Sequence, residues 1–104
     1  MSDKYILNRK IPVKEPDLMK WGKWFETAER RVAKTEINGI TISTIFLGLD
    51  HNYFGNEVPI LFETMVFGGE LDQEEERYST WEEAVKGHDE MVKRVSNTKN
   101  KKGK

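Results

Sequence analysis

Val32-Ala33-Lys34-Thr35-Glu36-Ile37-Asn38-Gly39-Ile40-Thr41-Ile42-Ser43-Thr44-Ile45-Phe46-Leu47 reads as a β-hairpin folded about its central dipeptide. A two-residue type I′ turn needs positive φ at both middle positions, which Asn and Gly tolerate best. On that turn Ile37 pairs with Ile40, Thr35 with Ile42 and Ala33 with Thr44. Alternating side chains then go to opposite faces of the sheet.

Two long apolar runs stand out in an otherwise polar chain. One is Ile40–Leu49; the other is Val58-Pro59-Ile60-Leu61-Phe62-Glu63-Thr64-Met65-Val66-Phe67, ended by Gly68-Gly69. Read as neighbouring strands joined by the loop Asp50–Glu57, with Leu49 opposite Val58, they place Thr44 opposite Glu63. One face then carries Ile37, Ile40, Ile42, Phe46, Leu61, Met65 and Phe67. The other carries Val32, Ile45, Leu47, Leu49, Ile60, Phe62 and Val66. A sheet apolar on both faces needs cover on both. Connections of this length tend to put two helices on one face, leaving the other for a homodimer or for a partner.

Outward from the hairpin the pattern turns helical on both sides. Pro16 and Asp17 signal a start, and Leu18, Trp21, Phe25, Ala28 and Val32 recur at helical spacing with Trp24 beside them. Gly22 is costly inside a helix, by about 1 kcal/mol against Ala, and its place between two Trp predicts a close backbone contact. The later helix opens on a Ser79/Glu82 capping box and carries Trp81, Ala84, Val85, His88, Met91, Val92 and Val95 on one stripe. Tyr5-Ile6-Leu7 and Ile11-Pro12-Val13 read as a short strand or tight hairpin, limited by prolines that lack an amide donor. The expected fold is α+β: an antiparallel β-meander of three or four strands with two packing helices, order (β)-α-β-β-β-α. Residues 1–95 form one domain, and 96–104, without an apolar side chain, form a disordered basic tail.

The 104 residues suffice for a single modest core. With 37% hydrophobic and 34% charged residues, and with 3 Trp, 3 Tyr and 5 Phe, the chain is polar yet able to fold. A net charge of −1 creates no global pull toward nucleic acid or anionic lipid. Its distribution is polarised: Glu70, Asp72, Glu74, Glu75 and Glu76 form an acidic connector, and Lys93, Arg94, Lys99, Lys101, Lys102 and Lys104 a basic end. The absence of cysteine excludes disulfides, thiolate metal sites and thiol nucleophiles. No segment reads as a signal peptide or membrane span, so a cytoplasmic protein is expected.

No cofactor motif and no catalytic set emerges. Gly68-Gly69 lacks the spacing of a phosphate loop, and no Ser has an activating context. Four residues remain candidates for ligand binding. Glu63 interrupts an apolar run, so it is either hydrogen-bonded at a rim or part of a site. Asp50 and His51 follow a strand end, where loops often carry function, but an Asp that closes a turn explains the pair more simply. Arg77 is a natural bidentate partner for Glu63 or for the acidic connector. His88, on the apolar stripe, reads as a packed residue at the edge of the core. Tyr53 and Phe54, in the loop between the two apolar runs, are the candidate partner-binding aromatics.

The blocks WxxWFE (Trp21 to Glu26), RxVA (Arg30 to Ala33), STIFLGLDH (Ser43 to His51), LFETMVFGG (Leu61 to Gly69) and RYSTWEEAxxGHxxMV (Arg77 to Val92) resemble a family of small proteins encoded by tailed phages and prophages. The resemblance covers nearly the whole chain except the basic tail. It implies a viral origin and one compact domain, and transfers no catalytic residue. The expected function is that of a phage-encoded accessory protein in the cytoplasm of an infected bacterial host, binding a host or phage protein and inhibiting a host defence or metabolic protein. Two alternatives stand beside it. One is a small-ligand or nucleotide-binding protein, or weak enzyme, with a pocket near Asp50, His51, Glu63 and Arg77. The other is a nucleic-acid-associated protein using its basic tail.

The turn reading predicts that Gly39→Val destabilises the domain by about 1–3 kcal/mol, because a β-branched residue resists positive φ. An unchanged melting temperature would contradict it.

Overall fold

At the hairpin turn φ is 48° at Asn38 and 85° at Gly39 in the computed structural model, which describes residues 3–52 and 58–102. The chain runs β1 (Tyr5–Asn8), β2 (Ile11–Lys14), α1 (Leu18–Thr27), β3 (Arg31–Ile37), β4 (Ile40–Phe46), β5 (Phe62–Phe67), β6 (Glu75–Tyr78) and α2 (Trp81–Lys102). β1 and β2 form a two-stranded antiparallel ribbon, and β3-β4-β5-β6 an antiparallel meander in sequence order. The fold is α+β. In β3–β4, Ile37 pairs with Ile40, Thr35 with Ile42 and Ala33 with Thr44, with a bulge between Arg31 and Ala33.

The next ladder differs from the expected register by one residue. Thr44 faces Thr64, and Glu63 faces Ile45. The cause is local. β4 stops at Phe46, the backbone bends at Gly48 (φ 82°), and Leu49 bridges to Lys4 instead of continuing toward Val58. Leu49 and residues 58–60 thus form the connection, while Leu47, beyond the end of β4, still donates to the Leu61 carbonyl. A one-residue slip exchanges faces, so Phe62 and Val66 join Ile42 and Phe46 on the inner side while Met65 and Phe67 turn outward with Ile45, Thr41, Ser43 and Glu63. The sheet therefore has one closed apolar face and one mixed face.

The closed face holds the core. Ile42, Phe46, Leu61, Phe62, Val66, Met91 and Val95 are all at most 1% exposed. Each contributes about 1.5–3 kcal/mol by leaving water. An aromatic series ties both helices to this face. Trp24 of α1 meets Phe46 edge-on at 5.8 Å, Phe46 meets Phe62 at 5.3 Å, and Phe62 meets Trp81 of α2 at 6.2 Å.

α1 is capped by Asp17, whose carboxylate accepts from the amides of Met19 and Lys20. Its anchor is Trp21, whose indole N–H lies 3.1 Å from both the Tyr5 and the Gly48 carbonyls. Gly48 makes this seat possible, since a Cβ there would come within 2.8 Å of the Phe25 ring. Two expectations for α1 are corrected. Leu18, at the helix start, is exposed rather than buried, and Gly22 meets nothing within 4 Å. The stripe that reaches the body is shorter than the periodicity implied, because the chain becomes strand β3 at Arg31.

α2 begins one residue later than its expected cap. The Glu83 amide donates to Thr80 Oγ1, and Glu83 Oε1 accepts from the amides of Ser79 and Thr80. The box is therefore Thr80/Glu83, frame-shifted from Ser79/Glu82 by the extended residues Glu75–Tyr78. Glu75 and Glu76 belong to the acidic connector and Arg77 and Tyr78 follow it, so β6 is a strand beyond the expected element order. β6 is a sheet edge, where charged side chains are well tolerated, and Arg94 of α2 holds this region through Glu74 at 2.9 Å and Glu76 at 3.8 Å. Gly87 lets α2 close on β6, since a Cβ there would lie 2.2 Å from the Tyr78 hydroxyl. α2 continues to Lys102. Each added helical residue gains a backbone bond whether or not a core lies beneath it.

The cap assignment predicts that Thr80→Ala costs about 1 kcal/mol and Ser79→Ala much less. Urea midpoints check this; a larger loss at Ser79 would contradict the observed cap.

Candidate functional site

The four ligand-binding candidates fall into two pairs with different work. Asp50 Oδ1 accepts from the amides of Asn52 (2.8 Å) and Ile60 (2.9 Å), and the Asp50 amide donates to the Asp3 carbonyl. The carboxylate thus staples the connection between β4 and β5, as short acidic side chains do in turns. His51 donates from its backbone to the Ile60 carbonyl and from Nδ1 to the Leu49 carbonyl at 2.9 Å. Glu63 and Arg77 are instead cross-strand partners in the β5–β6 ladder, 3.1 Å apart on the mixed face, with Glu75 also within 3.5 Å of Arg77. Burial raises the Glu63 pKa, reinforced by its hydrogen bond to Glu75; Arg77 opposes the shift without cancelling it. Tyr53 and Phe54 lie outside the described residues. No group of three or more His, Asp or Glu side chains is placed to hold a metal among the described residues.

The most ordered polar constellation lies in the core, around His88, which is 3% exposed. Its Nδ1 is 2.7 Å from Thr44 Oγ1, and its Nε2 is 2.9 Å from Thr35 Oγ1. Thr44 bonds in turn to Thr64 across the β4–β5 ladder, and the Tyr78 hydroxyl donates to Thr64 Oγ1 at 3.2 Å. Tyr78 as the terminal donor gives the series a direction. Thr64 donates to Thr44, Thr44 to Nδ1, and Nε2–H to Thr35, so the two central hydroxyls, Thr64 and Thr44, both accept and donate. This assigns the Nε2–H tautomer of a neutral imidazole. Burial lowers the His88 pKa, with only Asp89 pulling the other way. Among the described residues no buried side-chain nitrogen or oxygen lacks a partner. The apolar spacing of α2 located His88, and the Asn38-Gly39 hairpin register put its partners Thr35 and Thr44 on one face; Thr64, reached through Thr44, depended on the β4–β5 ladder expected one residue off. Its centre, Thr44, Thr64 and His88, is buried, and the network fixes α2 on the sheet.

The surface offers a different feature. α1 has no buried residue. Its inner flank carries Trp21, Trp24 and Phe25, and its outer flank exposes Leu18 (64%) and Met19 (74%). Ile11 and Val13 of β2, just before it in the chain, are exposed as well. Leu18, Met19, Trp21, Gly22, Lys23 and Glu26 line a shallow depression of about 360 Å³. The bare Gly22 gives this depression its floor. Met19, apolar but off the inner stripe, was the sequence signal for this flank.

No family model, curated protein or solved structure matches the chain.

Because the folded pKa of His88 lies below that of the free side chain, the unfolded state binds more protons as pH falls. The stabilising contribution is complete above about pH 6.5 and is lost progressively below it, toward the lowered folded value. Wild type is expected to lose stability between about pH 6.5 and 5 more steeply than His88→Gln, which keeps every carboxylate. Parallel slopes in urea titrations would contradict the assignment.

Proposed function

We propose that this protein acts by binding another protein, and that the outer flank of α1 with the adjoining β2 forms the contact surface. One observation carries this reading: Ile11, Val13, Leu18 and Met19, four large apolar side chains within a short stretch, are all exposed. Isolated exposed apolar residues are ordinary, but four so close in the chain are not, and Leu18 and Met19 border a shallow depression also lined by Lys23 and Glu26, the layout of an interface core with a polar border. The helix beneath is seated by Trp21 and Trp24, so its outer flank is presented on a fixed support.

The likeness to small tailed-phage and prophage proteins supports a phage-encoded accessory protein acting in the cytoplasm of an infected host. Its partner would then be a host or phage protein, with inhibition of a defence or metabolic protein as the concrete outcome. No helix among the described residues is long and apolar enough to cross a membrane. The ligand-binding alternative draws less support, because Asp50 and His51 staple a connection while Glu63 and Arg77 form a ladder pair elsewhere.

Leu18→Asp and Met19→Asp test the reading. Both positions are exposed, so stability should change by no more than about 0.5 kcal/mol. Each is expected to abolish capture of the partner that wild type retains from host lysate, while Glu63→Gln leaves capture unchanged. Retention by both Asp variants would contradict the surface.

A further inference from the structure

We infer that two copies of this chain join their β3 strands edge to edge, antiparallel and centred on Thr35, into one continuous sheet. Sheet order leaves the outer side of β3 without a neighbouring strand among the described residues. The two-residue turn makes Ile37 and Ile40 a hydrogen-bonded pair, and ladder alternation does the same for Thr35 with Ile42. The amides and carbonyls of Lys34 and Glu36 therefore point away from β4, toward the open edge. Such an edge is a ready template for another strand.

The side chains specify which strand fits. The bulge between Arg31 and Ala33 interrupts the ladder, so the regular segment is Ala33–Ile37, whose midpoint is Thr35. A two-fold axis there pairs the whole segment with its copy and leaves no overhang. Lys34 of each copy then faces Glu36 of the other, twice, on the mixed face of the sheet. On the face that α2 covers, Ala33 faces Ile37 twice and Thr35 faces Thr35. Moving the axis to Lys34 or Glu36 sets like charges opposite each other, which destabilises a pair of strands. Both charged side chains are accessible for this exchange, at 43% and 63% exposure, and within one chain they sit 3.7 Å apart.

α2 adds a second complementary element. Gly87 and Arg94 turn toward β6, so the opposite flank of the helix, with Val85 and Val92, lies on the β3 side. Val85 is 40% exposed there, and the half-buried Val92 packs on the cluster of Ile42, Val66, Met91 and Val95. A second copy joined at β3 would bring its own α2 to the same face. The interface is separate from the outer flank of α1.

Sedimentation equilibrium from about 1 to 100 μM reads the outcome, with each variant's melting temperature as the folding control. Wild type should dimerise. Lys34→Glu and Glu36→Lys should each weaken the dimer roughly tenfold or more, because each creates two like-charge pairs. An equimolar mixture of the two should recover wild-type affinity as a heterodimer, since its charges are again complementary. Lys34→Pro, which removes only an outward amide, should also abolish association. A monomeric wild type, a dimer indifferent to these changes, or a mixture no tighter than either variant alone would overturn the proposal.

Discussion

A histidine buried between a helix and a sheet must find partners for both ring nitrogens, and this constraint organises the molecule. Leaving one such group unpaired costs about 1–3 kcal/mol, a substantial part of the stability of a domain this size. His88 meets the requirement with Thr35 and Thr44, which share one face of two adjacent strands, and Thr64 of the third strand joins the series through Thr44. Thr44 also faces Thr64 across the next ladder and shares a hydroxyl hydrogen bond with it. In the same ladder this is a non-hydrogen-bonded pair, the kind whose side chains approach most closely. Apolar burial contributes more energy in total, but it tolerates sliding; the hydroxyl–imidazole series does not. Gly87 then sets the distance of α2 from β6 by admitting the Tyr78 ring, and Arg94 fastens the acidic edge strand from outside.

The legible parts of the fold were those specified by neighbouring residues. Asn38-Gly39 defined one hairpin and its register, and Asp17 marked the start of α1. The spacing of Ala84, His88, Met91 and Val95 identified the inner stripe of α2. The missed parts depend on distant contacts. Nothing local shows that Gly48 bends to seat Trp21 and Phe25, yet that bend removes Leu47 and Leu49 from β4 and shifts the second ladder by one residue. β6 was hidden because Glu75, Glu76 and Arg77 look like a solvated linker. Their strand character comes from pairing with β5, and they are acceptable there because the strand is an edge. At the candidate site, Asp50 was legible as a turn carboxylate and Glu63 with Arg77 as a pair, whereas the strand β6 that carries Arg77 was not.

The resulting division of labour is physical. Polar chemistry is concentrated inside, where His88 and its hydroxyls are saturated, and in the Glu63–Arg77 ladder pair. Outside lie an α1 flank that exposes Leu18 and Met19 and a β3 edge with no neighbouring strand among the described residues, the two surfaces to which the proposed reading assigns association. A rigid α2–sheet body that presents two such surfaces suits a protein that works by association.

The protonation state of the His88 ring tests this account most directly, because the helix position, the strand register and the direction of the hydroxyl series all converge on it. Nitrogen-15 NMR of the imidazole should show an unprotonated Nδ1 and a protonated Nε2 at neutral pH, persisting below the ordinary histidine pKa of about 6.5. An Nδ1–H tautomer, or a ring that titrates as a free histidine does, would contradict it.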